Sequence, residues 1–224
     1  MPSKDFPFIP YVQDSISDEE MIERSKLFYE KIDKRRSVRD FSDQPVPKEV
    51  MENIIMAAST APSGAHKEPW TFCLISNASL KSKLRALAEE EEKKSYGGRM
   101  SDEWLQDLAP LGTDWVKEFI DIAPWIVVIM KRAYELNEDG SKHNNYYVSE
   151  SVGLAAGFFL LAVQNAGLVA LTHTPSPMNF ISKALNRPEN ERPFLLIPVG
   201  HPAKNAEVPS LKRKSKEKVI HYYE

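Results

Sequence analysis

Cysteine is nearly absent from the 224 residues: Cys73, within the apolar run WTFCLIS, stands alone. An intramolecular disulfide is excluded, a cysteine-based metal site has no ligands to draw on, and a reducing, cytoplasmic setting is expected. Excess charge of one sign is also missing. The 29 Lys and Arg against 32 Asp and Glu leave a formal charge of −3, so no global field draws the chain to nucleic acid or to an anionic membrane. The longest apolar run, Val152 to Val163, is too short to cross a bilayer, and no apolar h-region follows a basic start, so a soluble protein with no membrane partner is expected. No dinucleotide fingerprint, P-loop, HExxH, GxSxG, Cys/His dyad or pair of catalytic carboxylates is present, which disfavours hydrolytic and zinc chemistry and leaves no expected metal site. If the chain is an enzyme, its reactive group is borrowed.

What is there reads as helices alternating with strands. The proline-bearing start reads as an arm over residues 1–16. Ser17 and Glu20 have capping-box spacing, and Met21, Phe28 and Ile32 share a stripe on a helix ending near Asp33. A second helix spans Pro47 to Thr60 and ends in the loop APSGAHKEPW. WTFCLIS, PWIVVIMKR, LVALTHT and PFLLIPVG read as strands, and the prolines of the last limit how deeply it can sit in a sheet. Helices are expected over SLKSKLRALAEEEEKKS, WVKEFIDIA, Ile181 to Leu185 and, apolar on nearly every side, about Asn145 to Ala166. The pattern predicts a three-layer α+β or α/β domain around four or five strands.

Four stretches carry candidate chemistry. In KRRSVRDF, Arg35, Arg36 and Arg39 surround Ser37, a donor set that matches a phosphate monoester; a solvated basic turn after a helix is the competing reading. Ser63, in APSGAHKEPW, lies in a loop whose small residues let backbone N–H groups approach a ligand, though ordinary helix-ending loops look alike. Thr172 to Thr174 close a strand where side chains commonly enter clefts, but Thr-rich strand ends are common and a lone histidine is more often structural. In EEEEKKSYGGRM, Glu89 with Lys93 and Glu90 with Lys94 suit a solvated helix face, while Tyr96, Gly97 and Gly98 suit the hinge of a lid.

Taken in order, RRSVRDF, APSGAHKEPWTF, the apolar helix, AGLVALTHTP and PVGHP resemble the nitroreductase-type flavoproteins, and most nearly their iodotyrosine deiodinase branch, over about Asp33 to Lys214. The resemblance implies an α+β, nitroreductase-like three-layer fold with a central, mostly antiparallel sheet, built as an intertwined homodimer. Residues 17–210 would form the FMN-binding domain, with a lid at about 89–117, and 211–224 an extension docking on the partner. FMN would be held by Arg35, Arg36, Ser37, Val38, Arg39, Ser63, Thr172, His173, Thr174 and Arg213, with Ser63 supplied by the other subunit and Thr174 meeting flavin N5. Glu92, Tyr96 and Lys117 match the branch's amino-acid clamp, and Ala65 the N–H that meets the substrate phenolate. His173 departs from the threonine of that pattern. The implied reaction is reductive dehalogenation of halotyrosines, with electrons from NAD(P)H directly or through a reductase. A general NAD(P)H-dependent nitro- or quinone reductase on the same fold is the alternative, and a flavin-free protein binding an anionic partner is a second.

Overall fold

The computed structural model describes residues 6–224; the first residues of the expected arm, 1–5, lie outside them. The chain divides into two compact units after Arg35. The first contains α1 (Asp18–Asp33), whose N-terminus is capped by Ser17 Oγ accepting from the Glu20 N–H at 3.3 Å. Only half of the expected capping box forms, because Glu20 turns to Arg24 at the next turn of the helix. The stripe through Met21 and Phe28 is exposed.

The second unit is the three-layer domain. Its sheet has the order β1-β2-β6-β5, antiparallel throughout: β1 (Trp70–Ile75), β2 (Trp125–Arg132), β5 (Val169–Ala170) and β6 (Glu191–Gly200). Side chains alternate across each strand, so Val127, Ile129, Ile197 and Val199 face one layer, α2 (Lys48–Ala58) and α6 (Val148–Asn165). Ile126, Val128, Met130 and Leu196 face the other, α3 (Ala78–Lys94), α5 (Phe119–Ile122) and α7 (Asn179–Ala184). Each fully buried Ile, Val or Leu contributes roughly 1.5–3 kcal/mol. Among the described residues α6 alone has the length and composition of a bilayer span; it extends past the apolar run at both ends and packs on α2 and β2.

Several sequence expectations are corrected. The proline-bearing β6 is an interior strand. The reciprocal backbone bonds of Leu196 and His173, at 2.9 and 3.0 Å, turn the even-numbered groups of this stretch toward β5. Pro198 therefore lacks its N–H on that side, where it costs only the continuity of a short strand: β5 stops at Ala170 and pairing resumes at His173. Pro193 lies next to the register shift between Ile129 and Met130. The strand expected over LVALTHT thus shrinks to two residues, and the helix expected over WVKEFIDIA to α5. A hairpin of β3 (Tyr134–Leu136) and β4 (Lys142–Asn144) precedes α6, turning at Gly140 with φ 80°. The aperiodic segment after Gly98 contains α4 (Asp102–Leu108), and α8 (Lys216–Val219) lies near the C-terminus.

Candidate active site

The arginine-bearing stretch is fixed to the sheet edge. Ser37 forms a parallel bridge with Ala170, the Val38 N–H donates to the Ala170 carbonyl at 3.2 Å, and Phe41 bridges Pro202. Val38 and Phe41 are buried in the core and half-buried Arg39 lies between them. This places Ser37 and Arg39 beside the strand that continues into Thr172 to Thr174. The Arg36 guanidinium donates to the Pro209 carbonyl, which ties down the segment leading to Arg213. Arg35 closes the preceding unit.

The chain leaves α3 through a π-turn, Ser95–Arg99, bent at Gly98 with φ 142°, and returns past Gly112 with φ 58°. Glu92 and Tyr96 are one helical turn apart, and Lys117 comes back to both. Its Nζ lies 3.5 Å from Glu92 Oε2 and 5.7 Å from the Tyr96 ring centre, and it donates to the Asp114 carbonyl. The Tyr96 hydroxyl donates to the Thr113 carbonyl at 3.1 Å. Burial pushes the Glu92 carboxyl up despite the pull of Lys117, and burial pushes the Lys117 ammonium down despite Glu92. Both charged forms are short of solvation and lean on each other, so a zwitterion would give each a second counter-charge. Burial, with the Glu92 and Asp114 carboxylates, likewise raises Tyr96 and keeps its phenol neutral.

Glu92 and Thr174 line one cavity of about 480 Å³, together with Arg99, Met100, Trp104 and Met178. Arg39 lines a neighbouring cavity of about 410 Å³ with Thr113, Asp114 and Phe119. His173 is half-buried, but its Nε2 is sealed from solvent and has no partner. Its ring meets Phe119 edge-on at 5.6 Å, and burial, then the Lys117 and Arg39 charges, push its pKa down to about 3. It is a neutral imidazole at physiological pH.

Ser63 and Ala65 are placed elsewhere. Ser63 lines a shallow pocket with Tyr147, Ser151 and Leu154, and its Oγ accepts from the Glu68 N–H at 2.9 Å. Ala65, His66 and Glu68 hold φ of 51°, 53° and 44°, a run of left-handed residues that is costly for side chains with a Cβ and collects at functional loops. Gly64 is required there: a Cβ would stand 2.8 Å from the Tyr146 carbonyl oxygen.

One edge of the sheet therefore collects Arg36, Ser37, Arg39 and the Thr172–Thr174 segment, with the Glu92, Tyr96 and Lys117 cluster over it; Ser63 and Ala65 are not part of that collection. The guanidinium and hydroxyl donors, the exposed Thr174 and the orphaned His173 Nε2 suit a phosphate carried on a polar chain to a flat ring with polar edges, the chemistry of the implied FMN. Arg99, Met100 and Trp104 were missed in the sequence. Ser101, whose Oγ accepts from the Trp104 N–H at 3.2 Å, followed by Asp102 and Glu103 in the first turn, was the available sign of a helix carrying them.

Comparison with known proteins bears on this arrangement. Residues 32–201 match the model of the nitroreductase family. The chain is 58% identical over 216 residues to the iodotyrosine deiodinase of Haliscomenobacter hydrossis, covering 96% of this chain and 97% of that protein. It is 44% identical over 213 residues to human iodotyrosine deiodinase 1, covering 95% and 74%. A crystal structure of oxidized iodotyrosine deiodinase bound to FMN and 3-iodo-L-tyrosine superposes with a TM-score of 0.73 at 29% identity, over 88% of this chain and 99% of that one. With motifs, fold and relatives in agreement, this chain belongs to the nitroreductase family, within its iodotyrosine deiodinase group.

Proposed function

We propose that the chain reductively dehalogenates halotyrosines, taking 3-iodo-L-tyrosine to L-tyrosine and iodide, and bromo- and chlorotyrosine likewise, with FMN as cofactor and a homodimer as the working unit. The observation that carries this reading is the convergence of Glu92, Tyr96 and Lys117 above the cavity that Thr174 also lines. When bound and reduced, FMN supplies the two electrons that, with one proton, replace the carbon–halogen bond by C–H and release halide.

The chain's own residues do the rest. Arg36, Ser37, Arg39 and Arg213, with the backbone at Val38, would hold the phosphate and ribityl chain, and Thr172 to Thr174 would line the flavin edge, with the Thr174 hydroxyl as the hydrogen-bonding partner of the ring. Glu92 receives the substrate ammonium, Lys117 its carboxylate, and the Tyr96 hydroxyl adds a neutral donor. Closure of the lid over these groups excludes water, in which the charge pairs would be weak. Ser63 and the Ala65 N–H, which meets the phenolate, come from the second protomer. Two features support that division: in one chain neither residue lines the Glu92 cavity, and beside the Ser63 pocket α6 exposes Leu154 and Phe158 next to Gly153 and Gly157. Exposed Val219, Ile220 and Tyr222 suit an extension that docks on a partner. Electrons enter from NAD(P)H, directly or through a reductase.

The test is iodide release from 3-iodo-L-tyrosine by the purified, FMN-loaded protein reduced with dithionite. A yellow protein that oxidises NAD(P)H with nitroaromatics but frees no iodide would assign the general reductase activity instead.

A further inference from the structure

The lid begins and ends on one carboxylate. Glu89, near the end of α3, accepts through Oε1 both the Arg85 Nε–H at 2.7 Å and the backbone N–H of Lys117 at 2.9 Å. Sequence spacing had paired Glu89 with Lys93 on a solvated face. Instead Lys93 lies over the Trp115 ring, and Glu89 turns inward to tie together the two feet of the lid. Arg85 also donates to Asp121 Oδ2 at 2.9 Å, Ser82 Oγ to Asp121 Oδ1 at 3.0 Å, and Lys81 Nζ to the Asp121 and Ala123 carbonyls at 2.8 Å each. One helix thus grips the turn that carries Lys117.

The grip is shielded from water: the Glu89 and Arg85 side chains are 16% and 27% exposed. Burial pulls the Glu89 carboxyl up, but the Arg85 and Lys117 hydrogen bonds outweigh it and hold it below its ordinary range, so it is an ionised acceptor at neutral pH. Lys117 has a long, flexible stem. Where its ammonium stands relative to Glu92 and Tyr96 depends on where its backbone starts, and a displacement of about 1 Å at a positioning group is enough to matter. Glu89 touches neither of those side chains and acts on the site through the Lys117 main chain.

We propose that Glu89, oriented by Arg85, is a positioning residue for substrate recognition: it pins the Lys117 backbone so that the ammonium is aimed at the α-carboxylate of the bound amino acid. The inference rests on the halotyrosine reading of the site.

The experiment is a double-mutant cycle read by quenching of flavin fluorescence in FMN-loaded protein titrated with 3-iodo-L-tyrosine. Glu89→Leu should weaken binding about tenfold, the scale of one hydrogen bond lost at a part-buried amide, and Glu89→Gln, which keeps an acceptor, should recover to within about threefold. In a Lys117→Met background, which keeps the backbone N–H but removes the ammonium, Glu89→Leu should cost less than about twofold. Equal losses in both backgrounds, or no loss in either, would overturn the positioning role. Should Glu89→Leu fail to fold or hold FMN, Arg85→Gln completes the same cycle and is judged by the same outcomes. If the unmutated protein does not bind iodotyrosine, the halotyrosine reading itself fails.

Discussion

Lys117 Nζ stands 3.5 Å from Glu92 Oε2, with the two side chains 3% and 10% exposed, yet burial disfavours the charged form of each. A structural ion pair gains little from such desolvation. The arrangement suits a ligand carrying both charges: an ammonium would settle against Glu92 and a carboxylate against Lys117, and a ligand with one charge would leave the other residue undercompensated.

Replacing Glu92 tests this. Glu92→Gln is expected to weaken 3-iodo-L-tyrosine binding about tenfold to hundredfold, the loss of a charge-assisted hydrogen bond, while FMN content is unchanged. The ratio of wild-type to Glu92→Gln affinities, in which the ligand's own titrations cancel, isolates the carboxyl. Because its pKa is raised, the ratio should fall toward one on acidification through a midpoint above 4.5. A ratio near one already at neutral pH would remove Glu92 from ammonium binding.

Arg36 is expected to separate cofactor from substrate. Its guanidinium lies at the bridged sheet edge and reaches the Pro209 carbonyl. Arg36→Leu should therefore both strip phosphate-binding charge and loosen the Arg213 segment, weakening FMN binding by about 1.5–3 kcal/mol. Equilibrium dialysis of FMN measures it, and at saturating FMN iodotyrosine affinity should return. Wild-type FMN affinity in this variant would assign the stretch to a solvated basic turn.

How much of this was legible in the sequence depended on whether the signal was local. The helices around Ile54 and Leu84 and the strand through Val127 follow from periodicity, β-branching and caps that one window contains. The depth of β6 was misjudged because a proline's cost depends on which side its missing N–H faces, and that is set by pairing with a distant segment. The β3–β4 hairpin escaped because YELNEDGSKHN is too polar to alternate, although its Asp139-Gly140 pair is a turn signal. At the site, Arg36, Arg39, Thr174 and the Tyr96-Gly97-Gly98 hinge stood out as local motifs, whereas Glu92 and Lys117 entered only through the family resemblance, being 25 positions apart until the chain folds back. Glu89 was not legible, since its partner is a backbone N–H whose nearness exists only after the segment from Ser95 to Lys117 has folded back on α3.

Glu191 opens β6 away from the site and should govern stability without touching recognition. It is buried, accepts from Thr71 Oγ1 and Arg187 Nε at 2.7 Å each, and lies 3.7 Å from Arg132 Nε. Burial raises its pKa, but Arg187 and Thr71 outweigh that and hold it low, so its stabilisation is full above the unfolded value near 4.5 and is lost as pH falls through the lower folded value. Glu191→Gln leaves Arg187 without its carboxylate, while Arg132 keeps Glu135 at 3.1 Å, and is expected to cost about 2 kcal/mol in urea unfolding at neutral pH, with iodotyrosine affinity retained. A loss under about 0.5 kcal/mol would show that the arginines find solvent instead.

His173 gives the opposite part of the pH profile. Its folded pKa of about 3 lies below the ordinary 6.5, because the imidazole is buried and faces the Lys117 and Arg39 charges. On acidification below 6.5 the unfolded chain gains a proton that the folded chain refuses until about 3, so stability is complete above 6.5 and declines through that window. The decline attributable to this residue should reach about 2 kcal/mol near pH 5. His173→Thr, which restores the hydroxyl of the family pattern, should lose correspondingly less stability between about pH 7.5 and pH 5 when urea unfolding of the two proteins is compared. Parallel declines would mean that the ring reaches water and charges freely; a flatter curve for the variant would establish that the His173 ring stays neutral through the physiological range.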